Sequence, residues 1–200
     1  MTRLILIRHG ETDWNVEGRY QGQADPPLNE HGREQAQKLA ADLRDAGLDI
    51  LYSSPLRRAR ETAQALEGCL GLSVRFDGRL MEVSQGDWEG RRRGRIEQLY
   101  PELLRRWEVD PWSASPPGGE TLLEVQARVN AALDEILARH PGRCVGVVTH
   151  RLPIMLIKLR YRGLSSEAAQ TLHLPNAYWE EIPITDTGST DRFALTGVVT

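Results

Sequence analysis

Short apolar runs bounded by polar residues and glycines recur along this sequence and predict a buried β-sheet. They cover residues 4–7, 50–52, 74–76 and 144–148, and the last of them is the clearest. Uninterrupted apolar runs of this length are typical of strands that are covered on both faces. We therefore expect several short, buried strands in one sheet.

Helical periodicity fills the segments between these runs. Asn29 is a good N-cap for the first helix, and Gly47 is expected to end it. The second helix is predicted to start at Ser54-Pro55, with proline at its first position. Residues 10–29 are expected to form a loop. The predicted helices cover residues 30–46, 54–69, 121–139 and 153–159.

Strands that alternate with helices predict an α/β fold. We expect a three-layer sandwich, with a mainly parallel central sheet flanked by helices, in a single domain over residues 1–200. Residues 84–119 are rich in proline and glycine and too short for a core of their own, so they are predicted to form an inserted lid or cap with short helices. Residues 177–184 and 192–199 are predicted to form a hairpin that turns at Asp186-Thr187-Gly188.

Composition and charge exclude several classes of protein. The 25 Lys and Arg against 28 Asp and Glu leave a formal net charge of −3, whereas nucleic-acid binding driven by charge needs a strongly basic chain. No stretch reaches the roughly 18 apolar residues of a membrane span, and the N-terminal run is too short for a signal peptide. We therefore expect a cytoplasmic protein with no nucleic-acid or membrane partner. Cys69 and Cys144 have no disulfide or metal-ligand spacing and are predicted to be buried free thiols.

Unusual polar residues follow three of the predicted strands. Arg8 and His9 end the first strand, the second leads into a segment that contains Arg58, and His150 and Arg151 follow the strand over 144–148. Sites in open α/β sheets lie outside the carboxyl ends of the strands. Two histidines and two or three arginines are therefore expected to meet in one crevice.

Such a cluster suits phosphoryl chemistry. Forked guanidinium donors fit phosphate, and a neutral imidazole is a nucleophile with a suitable pKa. The leaving alkoxide then needs a proton from a nearby carboxylic acid, and Glu82 is the best-placed candidate. Each residue alone also has an ordinary interpretation, since a lone loop histidine is usually structural and a helical arginine such as Arg58 usually belongs to a solvated face.

Ordered sequence blocks over residues 4 to about 155 resemble the histidine phosphatase superfamily, also called the phosphoglycerate mutase-like family. The short middle segment of the chain favours the phosphatase branch of that family. The blocks are Leu6-Ile7-Arg8-His9-Gly10-Glu11-Thr12, Asp13-Trp14-Asn15, Gln21-Gly22, Asp25-Pro26-Pro27-Leu28-Asn29, Ser53-Ser54-Pro55-Leu56-Arg57-Arg58-Ala59-Arg60-Glu61-Thr62-Ala63, Leu80-Met81-Glu82, Gly86-Asp87-Trp88-Glu89-Gly90, Pro117-Gly118-Gly119-Glu120-Thr121 and Val147-Val148-Thr149-His150.

The resemblance implies a role for each matching residue. His9 is the nucleophile that becomes phosphohistidine, and Glu82 first protonates the leaving oxygen and then activates water. Three residues bind the transferring phosphoryl group, namely Arg8, Arg58 and His150. Three others line the mouth of the site, namely Asn15, Gln21 and Gly22. No metal and no cofactor are implied, because the arginines supply the positive charge.

Two basic features have open interpretations. The family usually has glycine after its second histidine, and here Arg151 stands there. Arg151 is expected to add a cation at the mouth and to favour an anionic substrate, or else to turn to solvent. The run over residues 91–95 could grip a second anionic group, but a solvated surface run is favoured.

Three functions stay open. The first is a metal-independent phosphatase of small phosphomonoesters. The alternative is a phosphoglycerate mutase, which the short middle segment and the absence of a tyrosine in residues 83–85 disfavour. The third is an inactive binder of phosphorylated ligands. The chain retains all five residues with an implied catalytic role, which disfavours this function; they are Arg8, His9, Arg58, Glu82 and His150. The sequence identifies neither the natural substrate nor the oligomeric state, and a homodimer stays open.

Overall fold

The structure, a computed structural model, describes residues 1–165 and 171–184. Within these residues the strands are β1 (Thr2–Arg8), β2 (Ile50–Ser53), β3 (Val74–Phe76), β4 (Cys144–Thr149) and β5 (Trp179–Ile184). The α-helices are α1 (Asp13–Val16), α2 (Glu30–Asp42), α3 (Arg57–Leu70), α4 (Arg93–Leu99), α5 (Pro101–Val109), α6 (Leu122–Arg139) and α7 (Arg151–Arg162). Two 3-10 turns cover Gly78–Leu80 and Gly86–Trp88.

The strands form one mainly parallel sheet in the order β3-β2-β4-β1-β5. The pairs β2–β3, β2–β4 and β1–β4 are parallel, whereas β5 runs antiparallel to β1. Arg8 lies opposite Thr149 in the β1–β4 register. The residues that follow these two strands, His9 and His150, therefore leave the sheet side by side.

Strand alternation divides the apolar residues between two cores. Leu4 and Leu6 face the cluster that contains α6 and α7. Ile5 and Ile7 face the cluster that contains α2 and α3. All four side chains are fully buried, because successive strand residues point to opposite faces of a sheet that is covered on both sides. The predicted three-layer α/β sandwich is confirmed.

The middle segment packs on the first of these cores. Trp88 and Trp107 are buried there, together with Ile96 of α4 and Leu104 of α5. The rings of the two tryptophans meet edge to face, with centroids 6.1 Å apart. The short helices expected over residues 84–119 are therefore present, and the segment shares its core with β1 and α6. Its role as a lid, and the single-domain organisation, stay predictions.

The first long helix is shorter than predicted. The prediction of a helix to Ala46 is wrong, because α2 ends at Asp42. The chain then continues in tighter turns, in which the amide of Ala46 donates to the carbonyl of Leu43. The carbonyl of Ala46 accepts from the guanidinium of Arg3 at 2.9 Å. Leu43 is buried in the cluster that contains α2 and α3, and Ala46 packs against it, so the apolar pattern extends further than the helix itself.

Helix α3 begins later than predicted, at Arg57, so proline does not occupy its first position. The preceding Leu56 is extended, with ψ 136°. The first backbone amide of the helix, that of Arg57, donates to Asp25 Oδ1 at 2.5 Å. A carboxylate from the loop before α2 thus caps this helix, which no local pattern could indicate.

The loop predicted over residues 10–29 contains α1, a single turn that Thr12 and Asn15 close with a capping box. Both cysteines are free, but only Cys144 is buried, so the prediction of a buried Cys69 is wrong. β5 confirms the first strand of the predicted hairpin, whereas its turn and second strand lie outside the described residues. No helix in the described part of the chain is long and apolar enough to cross a membrane.

Candidate functional site

His9 lies directly after β1, with its side chain only 3% exposed. Its backbone amide donates to the carbonyl of Thr149 at 3.1 Å, which ties the ends of β1 and β4 together. Its ring atom Nδ1 lies 2.7 Å from the carbonyl oxygen of Gly10. A carbonyl can only accept, so Nδ1 carries the proton and Nε2 keeps its lone pair.

His150 is the N-cap residue of α7, which begins before the predicted start at residue 153, and it is fully buried beside His9. The two ring centroids lie 5.1 Å apart. His150 Nε2 lies 2.8 Å from the hydroxyl of Ser54. Two residues far apart in the sequence are therefore neighbours, because they end adjacent parallel strands.

Both imidazoles are held in their neutral form. Burial lowers the pKa of His9 well below its usual value, and the nearby guanidiniums of Arg58 and Arg8 lower it further. Burial and Arg58 have the same effect on the pKa of His150. Desolvation and a neighbouring cation both disfavour protonation. At neutral pH the site therefore contains an unprotonated imidazole nitrogen.

Arg58, on the first turn of α3, is 1% exposed and lies between the histidines and the loop that precedes α2. Its Nη2 donates to the carbonyl of Gly22 at 2.7 Å, and its Nη1 to that of Ala24 at 2.8 Å. Glu89 fixes this loop by accepting the amide of Gln23 at 2.8 Å. Gly22 has φ +53°, and a Cβ there would lie 2.2 Å from the Glu89 carboxylate, so glycine is required.

Arg8, the last residue of β1, supplies the second cation. Its Nη1 donates to the carbonyl of Leu174. Burial lowers the pKa values of Arg8 and Arg58 to about 10, and the carboxylate of Glu82 partly opposes this effect in both. Both guanidiniums therefore stay charged at neutral pH.

Three buried nitrogens around His9 have no hydrogen-bond partner in the described part of the chain. They are Arg8 Nε, Arg58 Nε and His150 Nδ1. Buried donors in folded proteins are almost always paired. Guanidinium Nε always carries a proton, and His150 Nδ1 carries one when Nε2 accepts from Ser54. These three nitrogens are therefore candidate hydrogen-bond donors to a bound anion.

Glu82 completes the cluster from the segment after the first 3-10 turn. Its Oε1 accepts the amide of Val83 at 2.9 Å, and its Oε2 lies 3.5 Å from the amide nitrogen of Leu152 at the start of α7. Desolvation raises the pKa of this carboxyl, although its backbone hydrogen bonds and Arg58 oppose the shift. A carboxyl with a raised pKa can hold a proton closer to neutral pH and is suited to acid–base exchange.

The predicted mouth residues lie around this cluster with different exposure. Asn15 Oδ1 accepts the amide of Thr12, and Gln21 Oε1 accepts the Thr12 hydroxyl, both at 3.1 Å. Arg151 is exposed, but it lies near enough to lower the pKa of Arg8.

In the run over residues 91–95, three arginines are exposed, which confirms the interpretation of this run as a solvated surface.

Sequence reasoning did not single out two residues that hold the site together. Asn176 Nδ2 donates to the carbonyls of His9 and Gly10 at 3.3 and 3.2 Å and contacts Asn15 Oδ1 at 3.2 Å. No pattern in its loop indicated this. Ser54 lies in one of the sequence blocks that resemble the family, but nothing in that block indicates its contact with His150.

A separate cavity of about 400 Å³ lies at the amino ends of β2 and β4, and none of the predicted site residues lines it. Its walls are Asp49, Ile50, Arg75, Arg139, His140, Pro141 and Arg143. Within residues 1–165 and 171–184, no group of three or more His, Cys, Asp or Glu is arranged to hold a metal ion.

Comparison with known proteins identifies the family. The family model of the histidine phosphatase superfamily (branch 1) matches residues 4–193. Phosphoserine phosphatase 1 of Hydrogenobacter thermophilus is 37% identical over 182 residues, which cover 91% of this chain and 86% of that protein. The probable phosphoglycerate mutase GpmB of Shigella boydii is 34% identical over 176 residues, covering 88% and 82%.

Solved structures agree with the sequence comparison. Mycobacterial glucosyl-3-phosphoglycerate phosphatase, solved in complex with VO3, superposes with a TM-score of 0.81 and 36% identity over 90% of each chain. The chain therefore belongs to the histidine phosphatase superfamily. This membership and the phosphatases among its relatives define its enzyme class as phosphoric monoester hydrolase, as predicted.

Proposed function

We propose that this chain hydrolyses small phosphomonoesters, without a metal ion or cofactor, through a phosphohistidine intermediate on His9. The observation that carries the proposal is a set of three buried donors, on Arg8, Arg58 and His150, that have no partner among the described residues and lie near the neutral ring of His9. A phosphoryl group satisfies all three donors at once. Phosphoryl transfer depends mainly on such positioning and on positive charge.

In the first step, His9 Nε2 attacks the phosphorus atom. A P–N bond forms while the P–O bond to the leaving group breaks. Arg8 and Arg58 stabilise the charge that spreads over the phosphoryl oxygens. Glu82, whose burial raises the pKa of its carboxyl, donates a proton to the leaving oxygen. The product alcohol then departs, and the carboxylate of Glu82 remains.

In the second step, this carboxylate accepts a proton from water. The water oxygen attacks the phosphorus atom, the P–N bond breaks, and inorganic phosphate is released. His9 returns to the neutral form that its buried surroundings favour. Glu82 holds its proton again, so the cycle closes without any further reactant.

The substrate enters at the mouth formed by Asn15, Gln21, Gly22 and Arg151. The side-chain oxygen of Asn15 already accepts hydrogen bonds from Thr12 and Asn176. Its side-chain nitrogen, Nδ2, is therefore the atom that donates to the substrate. The relatives named for phosphoserine and glucosyl-3-phosphoglycerate act on phosphates that also carry a carboxylate. Arg151, exposed beside Arg8, suits such a second anionic group.

A cytoplasmic location is part of the proposal.

The second candidate function is phosphoglycerate mutase activity. It is favoured by the 34% identity to a probable phosphoglycerate mutase. Rapid interconversion of 3- and 2-phosphoglycerate, primed by bisphosphoglycerate, would establish it over hydrolysis. We expect slow or no interconversion, and steady release of phosphate.

The test of the proposed function is to trap the intermediate. The enzyme, in buffer with EDTA, is mixed with radiolabelled phosphomonoester and denatured in alkali, in which phosphohistidine survives. We expect label on the wild-type protein that is lost in acid, and none on His9→Ala. His31→Ala is the matched control, because His31 is exposed on α2. Turnover of p-nitrophenyl phosphate by His9→Ala, or no turnover by the wild type, would refute the proposal.

A further inference from the structure

One guanidinium outside the cluster around His9 holds the segment that carries Glu82. Arg128, on α6, donates from Nη1 to the carbonyl oxygens of Arg79 and Met81 at 2.8 and 2.6 Å. Its Nη2 donates to the carbonyl of Glu82 at 2.8 Å. Three backbone acceptors around the first 3-10 turn therefore converge on one side chain, which is itself only 17% exposed.

Glu120 completes this arrangement from the loop before α6. Its two oxygens accept from Arg128 Nε and Nη2, both at 2.8 Å, in a forked ion pair. Its Oε2 also accepts the backbone amide of Ser84 at 2.8 Å and the side-chain Nε2 of Gln23 at 3.3 Å. Hydrogen bonds thus hold the segment in two ways. Arg128 binds the carbonyls of residues 79, 81 and 82, and Glu120 binds the backbone amide of Ser84.

The peptide unit between Glu82 and Val83 connects these hydrogen bonds to the Glu82 carboxyl. Its carbonyl oxygen is held by Arg128 and by Gln23 Nε2 at 3.2 Å. Its N–H donates to Glu82 Oε1 at 2.9 Å. A peptide unit is planar, so fixing the oxygen also fixes the direction in which the N–H points. The position of the carboxyl therefore depends on the donors on the opposite edge of the peptide.

We propose that Arg128 is a positioning residue for Glu82, with Glu120 as the partner that orients its guanidinium. The inference rests on the proposed function, in which Glu82 is the proton donor. The ion pair is suited to this task because Glu120 balances the charge of Arg128. The pair supplies rigid forked donors without adding net positive charge beside the acid.

The test separates positioning of the acid from general loss of structure. We compare kcat/KM for p-nitrophenyl phosphate, whose leaving group needs little protonation, with that for an alkyl phosphate, whose leaving group needs a proton. Arg128→Met is expected to lower the alkyl value at least about tenfold more than the nitrophenyl value. Arg128→Lys, which keeps the charge but loses the fork, should fall between wild type and Arg128→Met.

Two controls make the result specific. Arg160→Met removes an arginine that is 18% exposed and paired with Asp134 of α6, and it should affect both esters equally. In a Glu82→Gln background, Arg128→Met should cause little further loss on the alkyl ester, because residues that act as a unit are not additive. If Arg128→Met does not fold, Glu120→Gln carries the test and should show a smaller split of the same sign.

Two results would overturn the inference. One is an equal loss on both esters in Arg128→Met, or in Glu120→Gln where that variant carries the test. The other is full additivity of Arg128→Met with Glu82→Gln. The proposed function fails differently, by the absence of turnover or of phosphoenzyme in the wild-type protein.

Discussion

Ser54 Oγ lies 2.8 Å from Nε2 of His150, and both side chains are fully buried. The same hydroxyl oxygen accepts the backbone amide of Leu56 at 3.3 Å, so its proton is free to point at the imidazole. A hydroxyl that donates to Nε2 selects the tautomer with the proton on Nδ1. That nitrogen has no partner in the described part of the chain and can donate to a phosphoryl oxygen.

Replacing Ser54 by alanine tests this relationship. We expect kcat to fall about tenfold, which corresponds to roughly 1.4 kcal/mol for one lost hydrogen bond. The nitrogen NMR signals of His150 should also show a mixture of tautomers. Ser53→Ala is the matched control, because Ser53 is equally buried but donates to the carbonyl of Ser54. Unchanged NMR signals in Ser54→Ala would contradict the assigned tautomer.

Glu82→Gln should separate substrates by their leaving group. For an alkyl phosphate, kcat/KM should fall by about 10²- to 10⁴-fold, the usual contribution of a general acid. For p-nitrophenyl phosphate, kcat/KM should change little, because its leaving group departs unprotonated. Water attack still needs a base, so phosphoenzyme should accumulate and give a burst of nitrophenol. Equal losses in kcat/KM for both esters would argue against Glu82 as the acid.

Inorganic phosphate should stabilise the folded protein through the same buried donors. At 100 times its Kd, phosphate should add about 2.7 kcal/mol to the free energy of unfolding, seen as a rise in Tm. Arg58→Lys should lose most of this shift, because it retains the charge but lacks the forked donors. Arg57→Met is the matched control, since Arg57 is its exposed neighbour, paired with Glu61.

The cavity at the other end of the sheet gives this experiment a second arm. If the shift in Tm survives in Arg58→Lys but disappears in Arg75→Met, then phosphate binds in the cavity lined by Arg75, Arg139 and Arg143. We expect Arg75→Met to retain the full shift, because phosphate binds beside His9.

The stability of the protein should fall as pH drops below about 6.5, the pKa of histidine in an unfolded chain. The pKa values of His9 and His150 are lowered in the folded state, so the unfolded chain binds more protons in this range. Each histidine contributes up to about 1.4 kcal/mol per pH unit. The raised pKa of Glu82 acts in the opposite sense, because its folded form holds a proton more readily.

Denaturant unfolding between pH 5 and 7, in buffer without phosphate, measures this slope. His150→Gln should reduce the slope by up to about 1.4 kcal/mol per pH unit, whatever its effect on absolute stability. His31→Gln, at an exposed site on α2, should leave it unchanged. If the slope of His150→Gln equals that of the wild type, His150 is not held neutral by the fold.

Much of the cluster was predictable because its members follow strands. The apolar runs that predict β1 and β4 also place His9 and His150 at strand ends, and adjacent parallel strands bring such ends together. The place of Glu82 after β3 likewise indicates it as the candidate acid. By contrast, Asn176 reaches the carbonyl of His9 across 167 positions of sequence. Neither the type of its residue nor its spacing signals such a contact.

The sequence by itself determined the sheet, the helices that cover it and the residues that gather at its edge, because strand alternation, helix periodicity and capping act over a few residues. Only the tertiary structure decided how these residues are held. The carbonyl of Glu82 meets Arg128 across 46 positions of sequence, and Asp25 caps a helix that begins 32 positions later. Such hydrogen bonds depend on the packing of whole elements, which no short stretch of sequence encodes.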